Sequence, residues 1–187
     1  EMNAPLSDSA PIGYACEAEG SEHVIYRSQD RHIHRLSYGH WGGDWRHIDL
    51  TDATKSFAIA IGTPTGYAWN ADGTEHIVYR DLALGDKVAG LTELHHHKGR
   101  PEDEWHRVYV CDTAAQEAYL APITIYASGD PNDATGDPHG YAWETDGTEH
   151  IIYCRDREIY ELWYDYKWHH RPLSKQVKAP PTGFNAH

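Results

Sequence analysis

One stretch of the chain is written three times, and it constrains the fold more than any other feature. Pro11-Ile-Gly-Tyr-Ala-Cys16 is followed by Gly20-Ser-Glu-His-Val-Ile-Tyr-Arg27, Pro64-Thr-Gly-Tyr-Ala-Trp69 by Gly73-Thr-Glu-His-Ile-Val-Tyr-Arg80, and Pro138-His-Gly-Tyr-Ala-Trp143 by Gly147-Thr-Glu-His-Ile-Ile-Tyr-Cys154. Each copy runs on into an alternating segment that begins at Ile33, Leu91 and Ile159, and then into a segment headed by Trp45, Trp105 and Trp168. β-Branched and aromatic residues at a period near two, bounded by Gly, Pro, Asp and Asn, predict strands. Every unit therefore holds four of them, in a meander.

The shortest interval between unit openings, Pro138 to Pro181, matches the roughly 40 to 50 residues of a propeller blade. The expected fold is all-β, with three four-stranded antiparallel blade-like repeats of a β-propeller in one domain over residues 1–187. Repeat 1 is placed at about 9–53, repeat 2 at about 62–112 and repeat 3 at about 136–176, with an inserted loop at about 113–135 and a partial fourth opening at 179–187. Within the insertion, Asp112 to Leu120 is compatible with a short helix. A β-trefoil, also built of three four-stranded units, is the alternative. A closed propeller usually needs at least four blades, so the unpaired ends predict a homo-oligomer, in which two chains complete a ring, or a filament.

Composition narrows the function. The formal charge of −13 over 187 residues argues against nucleic acid as a partner. No apolar run reaches the roughly 20 residues of a membrane-spanning helix, and the start, Glu-Met-Asn-Ala, has neither the basic nor the apolar part of a signal peptide. Thirteen Tyr and seven Trp against two Phe give aromatic surface with polar handles. Cys16, Cys111 and Cys154 lack metal or haem spacing and allow at most one internal disulfide. The histidine clusters at 32/34, 95–97 and 169/170 fall at different points of their repeats, so neither a metal nor another cofactor is expected. No nucleophile, zincin or phosphate-loop motif is present, so no catalytic residue is assigned. The residual enzyme reading is a carboxylate pair such as Asp44 and Glu104 acting on a glycoside.

The recurrent Glu-His pairs are the sharpest site signal: Glu22 with His23, Glu75 with His76, and Glu149 with His150. The three histidines serve either as satisfied structural hydrogen-bonding groups or as binding groups. Strand alternation puts His76, Val78 and Arg80 on one face and Glu75, Ile77 and Tyr79 on the other. Arg27 and Arg80 close their strands, while Cys154 displaces the third guanidinium to Arg155. Such arginines fork onto vicinal oxygens or pair with a surface acid. Trp69 and Trp143, with Cys16 in the same place of the first copy, and Trp163 offer indole faces for stacking on a sugar or for packing between blades. Trp45, Trp105 and Trp168 are expected to be packing anchors.

These motifs, Gly-Tyr-Ala, Gly-Thr-Glu-His-Ile-Val-Tyr-Arg and Ile-Tyr-Glu-Leu-Trp, resemble the tandem blades of β-propeller lectins, the broad fucose-binding and tachylectin-like group, over Pro11 to Leu173. The resemblance implies a non-enzymatic, secreted or extracellular protein whose partners are glycans, held in several equivalent weak sites between blades by Trp, Tyr, Arg, Glu and His. The rival reading is a structural subunit of an extracellular filament or matrix built from the same repeats.

Overall fold

A computed structural model gives the architecture and describes residues 4–39, 43–56, 59–82, 89–101, 104–110, 136–155 and 158–174. Twelve strands are found among them. The first sheet is β1 (Ile12–Cys16), β2 (Ser21–Arg27), β3 (Ile33–Gly39) and β4 (Arg46–Asp49); the second is β5 (Ile59–Trp69), β6 (Thr74–Leu82), β7 (Ala89–His97) and β8 (His106–Tyr109); the third is β9 (His139–Trp143), β10 (Thr148–Arg155), β11 (Glu158–Tyr164) and β12 (Trp168–Pro172). Each sheet is an antiparallel meander in chain order, as the alternating segments require. We call them blades 1, 2 and 3. One short helix, α1 (Leu50–Ala53), follows β4 and is capped by Asp49, whose carboxylate accepts from the Asp52 amide at 3.0 Å.

Strand register repeats as closely as sequence does. In each blade the tyrosine of Gly-Tyr-Ala lies directly across from the histidine of the next strand: Tyr14 opposite His23, Tyr67 opposite His76, Tyr141 opposite His150. Their rings lie 4.9 to 5.1 Å apart between centroids.

The blades stack face to face, and each junction has its own core. Between blades 1 and 2, Ile25 and Ile33 meet Ile77, Tyr79, Leu94 and Trp105; between blades 2 and 3, Tyr67, Val78 and Leu91 meet Ile151, Tyr153 and Leu162. Alternation along β6 thus feeds two cores, Ile77 and Tyr79 toward blade 1 and Val78 toward blade 3, which is why the strand is apolar on both faces. Close approach of the first strands depends on glycine. A Cβ on Gly66 would stand 2.6 Å from the Tyr14 ring, and the ring of Tyr67 occupies the same place over Gly140. The tyrosine of one blade therefore lies on the glycine of the next.

The inserted loop and its possible helix lie outside the described residues, as do the fourth opening, Cys111 and residues 83–88. Cys16 is buried and Cys154 half-buried, and no disulfide joins them. No helix among the described residues is long and apolar enough to cross a membrane.

Candidate functional site

The junction of blades 1 and 2 opens into a pocket of about 320 Å³ lined by residues from both, including His23, Arg35, Ser37 and Tyr38 of blade 1 and His96, Lys98 and Arg100 of blade 2. Beneath it, a charge pair crosses the junction. Alternation turns Arg35 on β3 toward blade 2 and Glu75 on β6 toward blade 1, and Arg35 Nη1 donates to both Glu75 oxygens at 3.0 Å. Glu75 is 2% exposed. Its Oε2 also accepts from the Tyr14 hydroxyl at 2.8 Å and lies 3.2 Å from His23 Nε2. Burial works to raise the Glu75 pKa, but the Arg35 and His23 charges and the hydrogen bonds outweigh it and hold the carboxyl below its ordinary value.

A buried aromatic ring backs the pocket lining. The Arg35 guanidinium lies 4.9 Å from the ring centroid of Trp105, and His96 stacks on the same indole at 5.3 Å. His96 Nε2 bonds the Pro101 carbonyl at 3.0 Å, which leaves Nδ1 buried and without a hydrogen-bond partner among the described residues, 3.7 Å from Glu75. Arg46 and Asp44 stand on the pocket wall. Basic residues, Asp44, two serines and Tyr38 lining one concave site suit a ligand with several hydroxyls and an apolar face, while Glu75 and Trp105 hold Arg35 and His96 in place from behind the lining.

The junction of blades 2 and 3 has a different chemistry. Where blade 1 presents Arg35, blade 2 presents Glu93, so two buried carboxyls, Glu93 and Glu149, meet at His76. His76 Nδ1 lies 2.5 Å from Glu93 and 3.5 Å from Glu149, and the Tyr67 hydroxyl donates to Glu149. Burial raises Glu93 to about 7, and burial with the neighbouring Glu93 charge raises Glu149 to about 8. The imidazole is oriented by a relay: the Thr74 hydroxyl donates to Asp72, so His76 Nε2 must donate to Thr74, at 2.7 Å, and Nδ1 is left to face the carboxyls. Blade 3 repeats the relay with Asp146, Thr148 and His150, whose Nδ1 lies 2.9 Å from Glu161. The clefts are therefore not equivalent, which corrects the expectation of equal sites: a single residue position is Arg35, Glu93 and Glu161 in the three blades, and it decides the charge of each.

The structure sorts the other sequence candidates. Glu75, His23, His76 and Glu149 are buried between blades, His150 is buried within blade 3 against Tyr141, Thr148 and Glu161, and Glu22 is exposed on the outer face of blade 1. Arg27 pairs with Asp8, at 2.6 Å, and Arg80 with Asp137, at 2.7 Å, so both strand-end arginines engage acids away from the pocket. Arg155 ends β10, and its side chain lies outside the described residues. Trp69 is half-buried with Nε1 lacking an acceptor among the described residues, while Trp143 is 53% exposed. Trp163 stacks on His169 at 4.6 Å, and the Arg171 guanidinium, which also pairs with Glu161, lies 4.9 Å from its ring centroid. Asp44 lines the pocket; Glu104 faces Arg100 at 3.6 Å and His106 at 3.9 Å.

Sequence reasoning missed Arg35, His96 and the role of Trp105. The signal for Arg35 was available in the alternating segments, where one basic residue stands against two acids at an otherwise matched position. As to metals, three groups bring three possible ligand atoms within 4.8 Å: Cys16, Glu19 and Glu75; His32, Asp49 and Asp52; and His76, Glu93 and Glu149. In the second, His32 Nδ1 already bonds Asp49 at 2.8 Å, and in the third the relay and the carboxyls take up both imidazole nitrogens.

No family model and no curated protein matches the sequence. Solved structures do. AofleA from Arthrobotrys oligospora superposes with a TM-score of 0.58 at 14% identity, over 89% of this chain and 42% of that one. A variant of Aleuria aurantia lectin in complex with alpha-methyl-L-fucoside superposes with a TM-score of 0.58 at 15% identity, over 95% of this chain and 48% of that one. The same lectin in complex with Fucalpha1-6GlcNAc gives 0.55 at 16% identity, over 90% and 46%. The chain thus spans less than half the length of these structures, and it shares their fold, a β-propeller.

Proposed function

We propose that the chain is a non-enzymatic, carbohydrate-binding module acting outside the cell, and that its best-formed site is the cleft between blades 1 and 2. The observation that carries this reading is the pocket of about 320 Å³ above the buried Arg35–Glu75 pair, with His96 Nδ1 buried beside the Trp105 indole and without a hydrogen-bond partner among the described residues. Arg35, Arg46 and Lys98 supply donors and Asp44 an acceptor for vicinal hydroxyls, Tyr38 offers an aromatic wall, and Glu75 holds Arg35 in place from beneath. The fucose complexes of Aleuria aurantia lectin support a fucose-bearing glycan as the first ligand to try. Because Glu93 replaces the arginine at the next junction, one well-formed and one altered site are expected in each chain. Individual sites are weak, so binding to a surface gains from repetition.

The test is a glycan array followed by calorimetric titration of the best fucoside. Wild type should bind, Glu75→Gln and Trp105→Phe should lose at least about tenfold in affinity while still folding, and Trp143→Ala should not change it. Silence on every glycan, or unchanged binding by both cleft variants, would overturn the proposal.

A second reading, a structural subunit of an extracellular assembly, draws on the exposed aromatics Tyr38, Trp45, Tyr141 and Trp143. It predicts large assemblies with no glycan binding.

A further inference from the structure

We propose that the chain pairs head to tail with a second copy of itself, the outer face of blade 3 docking on the outer face of blade 1. The proposal extends an interface the chain already makes twice, and it does not depend on what the clefts bind.

At each internal junction the tyrosine of the earlier blade lies on the glycine of the later one and gives its hydroxyl to the later glutamate: Tyr14 to Gly66 and Glu75, Tyr67 to Gly140 and Glu149. Two halves of this contact are left over. Blade 3 ends with Tyr141, 37% exposed where Tyr67 is 7%. Blade 1 begins with Gly13 and Glu22, both exposed, and a Cβ on Gly13 would meet only the His23 carbonyl at 3.7 Å. The missing tyrosine and the missing receptor are thus both present in one chain, on opposite faces.

The surrounding residues follow the same pattern. Trp45 is 43% exposed, whereas its counterpart Trp105 is buried against blade 1. Val24 and Leu36 of blade 1 are half-buried, while their counterparts Ile77 and Leu94 are fully buried. On the other face, Ile152 and Ile159 are half-buried where Val78 and Leu91 are fully buried. Apart from Leu6 and Tyr166, the exposed large apolar side chains among the described residues are Tyr38, Trp45, Tyr141 and Trp143, which belong to blades 1 and 3 only. Paired apolar patches of this kind mark an interface rather than a solvated surface.

A polar contact fixes the register. At the internal junctions, the residue after each Gly-Tyr-Ala-Trp accepts from amides in the turn of the preceding blade: Asn70 Oδ1 from the Ala18 amide at 3.1 Å, and Glu144 from the Asn70 and Ala71 amides at 2.6 and 3.0 Å. Glu17 occupies that position in blade 1 and is exposed. In the pair it accepts from the turn after Trp143 of the second copy. The contact is heterologous, so the two faces differ and each copy uses both. It also sets Glu22, Tyr38 and Trp45 of one copy opposite His150 and Glu161 of the other, a cleft assembled from two chains.

The experiment is light scattering of the 187-residue chain from micromolar to about 100 µM, with two single variants and their mixture. Wild type should show a mass that is a multiple of 21.2 kDa. Gly13→Leu blocks the receptor without touching the internal junctions, and Tyr141→Ala removes the inserted ring; each should raise the dissociation constant at least about 100-fold, with circular dichroism unchanged. An equimolar mixture should associate again, because Tyr141 of the first variant still fits Gly13 of the second. Monomeric wild type at the highest concentration, multimers indifferent to both variants, or a mixture that stays monomeric would each overturn the proposal, and the wild-type mass decides it should a variant fail to fold.

Discussion

Arg35 and Glu75 are forty residues apart and belong to different blades, yet a guanidinium nitrogen of one donates to both carboxylate oxygens of the other at 3.0 Å in a buried junction. Such a pair is costly to break from one side only, because the survivor is left charged without a counter-ion. Arg35→Met should lower unfolding free energy by about 3 kcal/mol in urea titrations, and adding Glu75→Gln should restore part of it. A double variant no more stable than Arg35→Met would show that the pairing is not what the junction depends on.

The second junction predicts the opposite dependence on acidity. Glu93 and Glu149 are raised in the folded protein, to about 7 and about 8, from an ordinary carboxyl value of 4.5. The folded state therefore holds protons the unfolded chain has released, so the pair destabilises increasingly as pH rises from 4.5 to 8. Glu93→Gln, which keeps the shape and removes one ionisation, should melt several degrees above wild type at pH 8 and close to it at pH 4.5. Parallel melting curves at every pH would refute the assignment.

Glycine substitution distinguishes an occupied from an open face. Gly66→Ala drives a methyl to 2.6 Å from Tyr14 and 2.9 Å from Ile25, and should cost about 1 to 3 kcal/mol. Gly13→Ala meets nothing closer than 3.7 Å and should change the stability of the single chain by no more than about 0.5 kcal/mol. Thermal denaturation of the two variants at low concentration reads the difference directly.

Cys16 stands where later blades have tryptophan, and burial, aided by the Glu75 charge, raises its thiol to about 11. Iodoacetamide at pH 8 should modify it only at the rate of global unfolding. Rapid alkylation under native conditions would mean the first blade opens by itself.

The sequence made the architecture legible because each repeat states its strands separately, through alternation in the Glu-His-Ile-Val-Tyr run and the glycine-bearing turns around it. The split of Glu75, Ile77 and Tyr79 from His76, Val78 and Arg80 was also readable, since a strand has only two faces. What alternation does not supply is the partner across a junction. Arg27 and Arg80 drew attention as strand-end cations but pair with Asp8 and Asp137, while Arg35, inside an otherwise unremarked strand, meets Glu75. The three tryptophans heading the fourth strands look alike in sequence, yet Trp105 is buried and Trp45 is not, because burial depends on which blade stands in front.

The repeats invite treatment as interchangeable cassettes, but the variable position at Arg35, Glu93 and Glu161 forbids it. Exchanging blades 1 and 2 in the gene would set Glu93 against Glu22 and send Arg35 to blade 3, rewriting the polarity of every seam even though each transplanted sheet kept its own pattern. The units are alike in sequence, yet the neighbour each one meets gives it a fixed place in line.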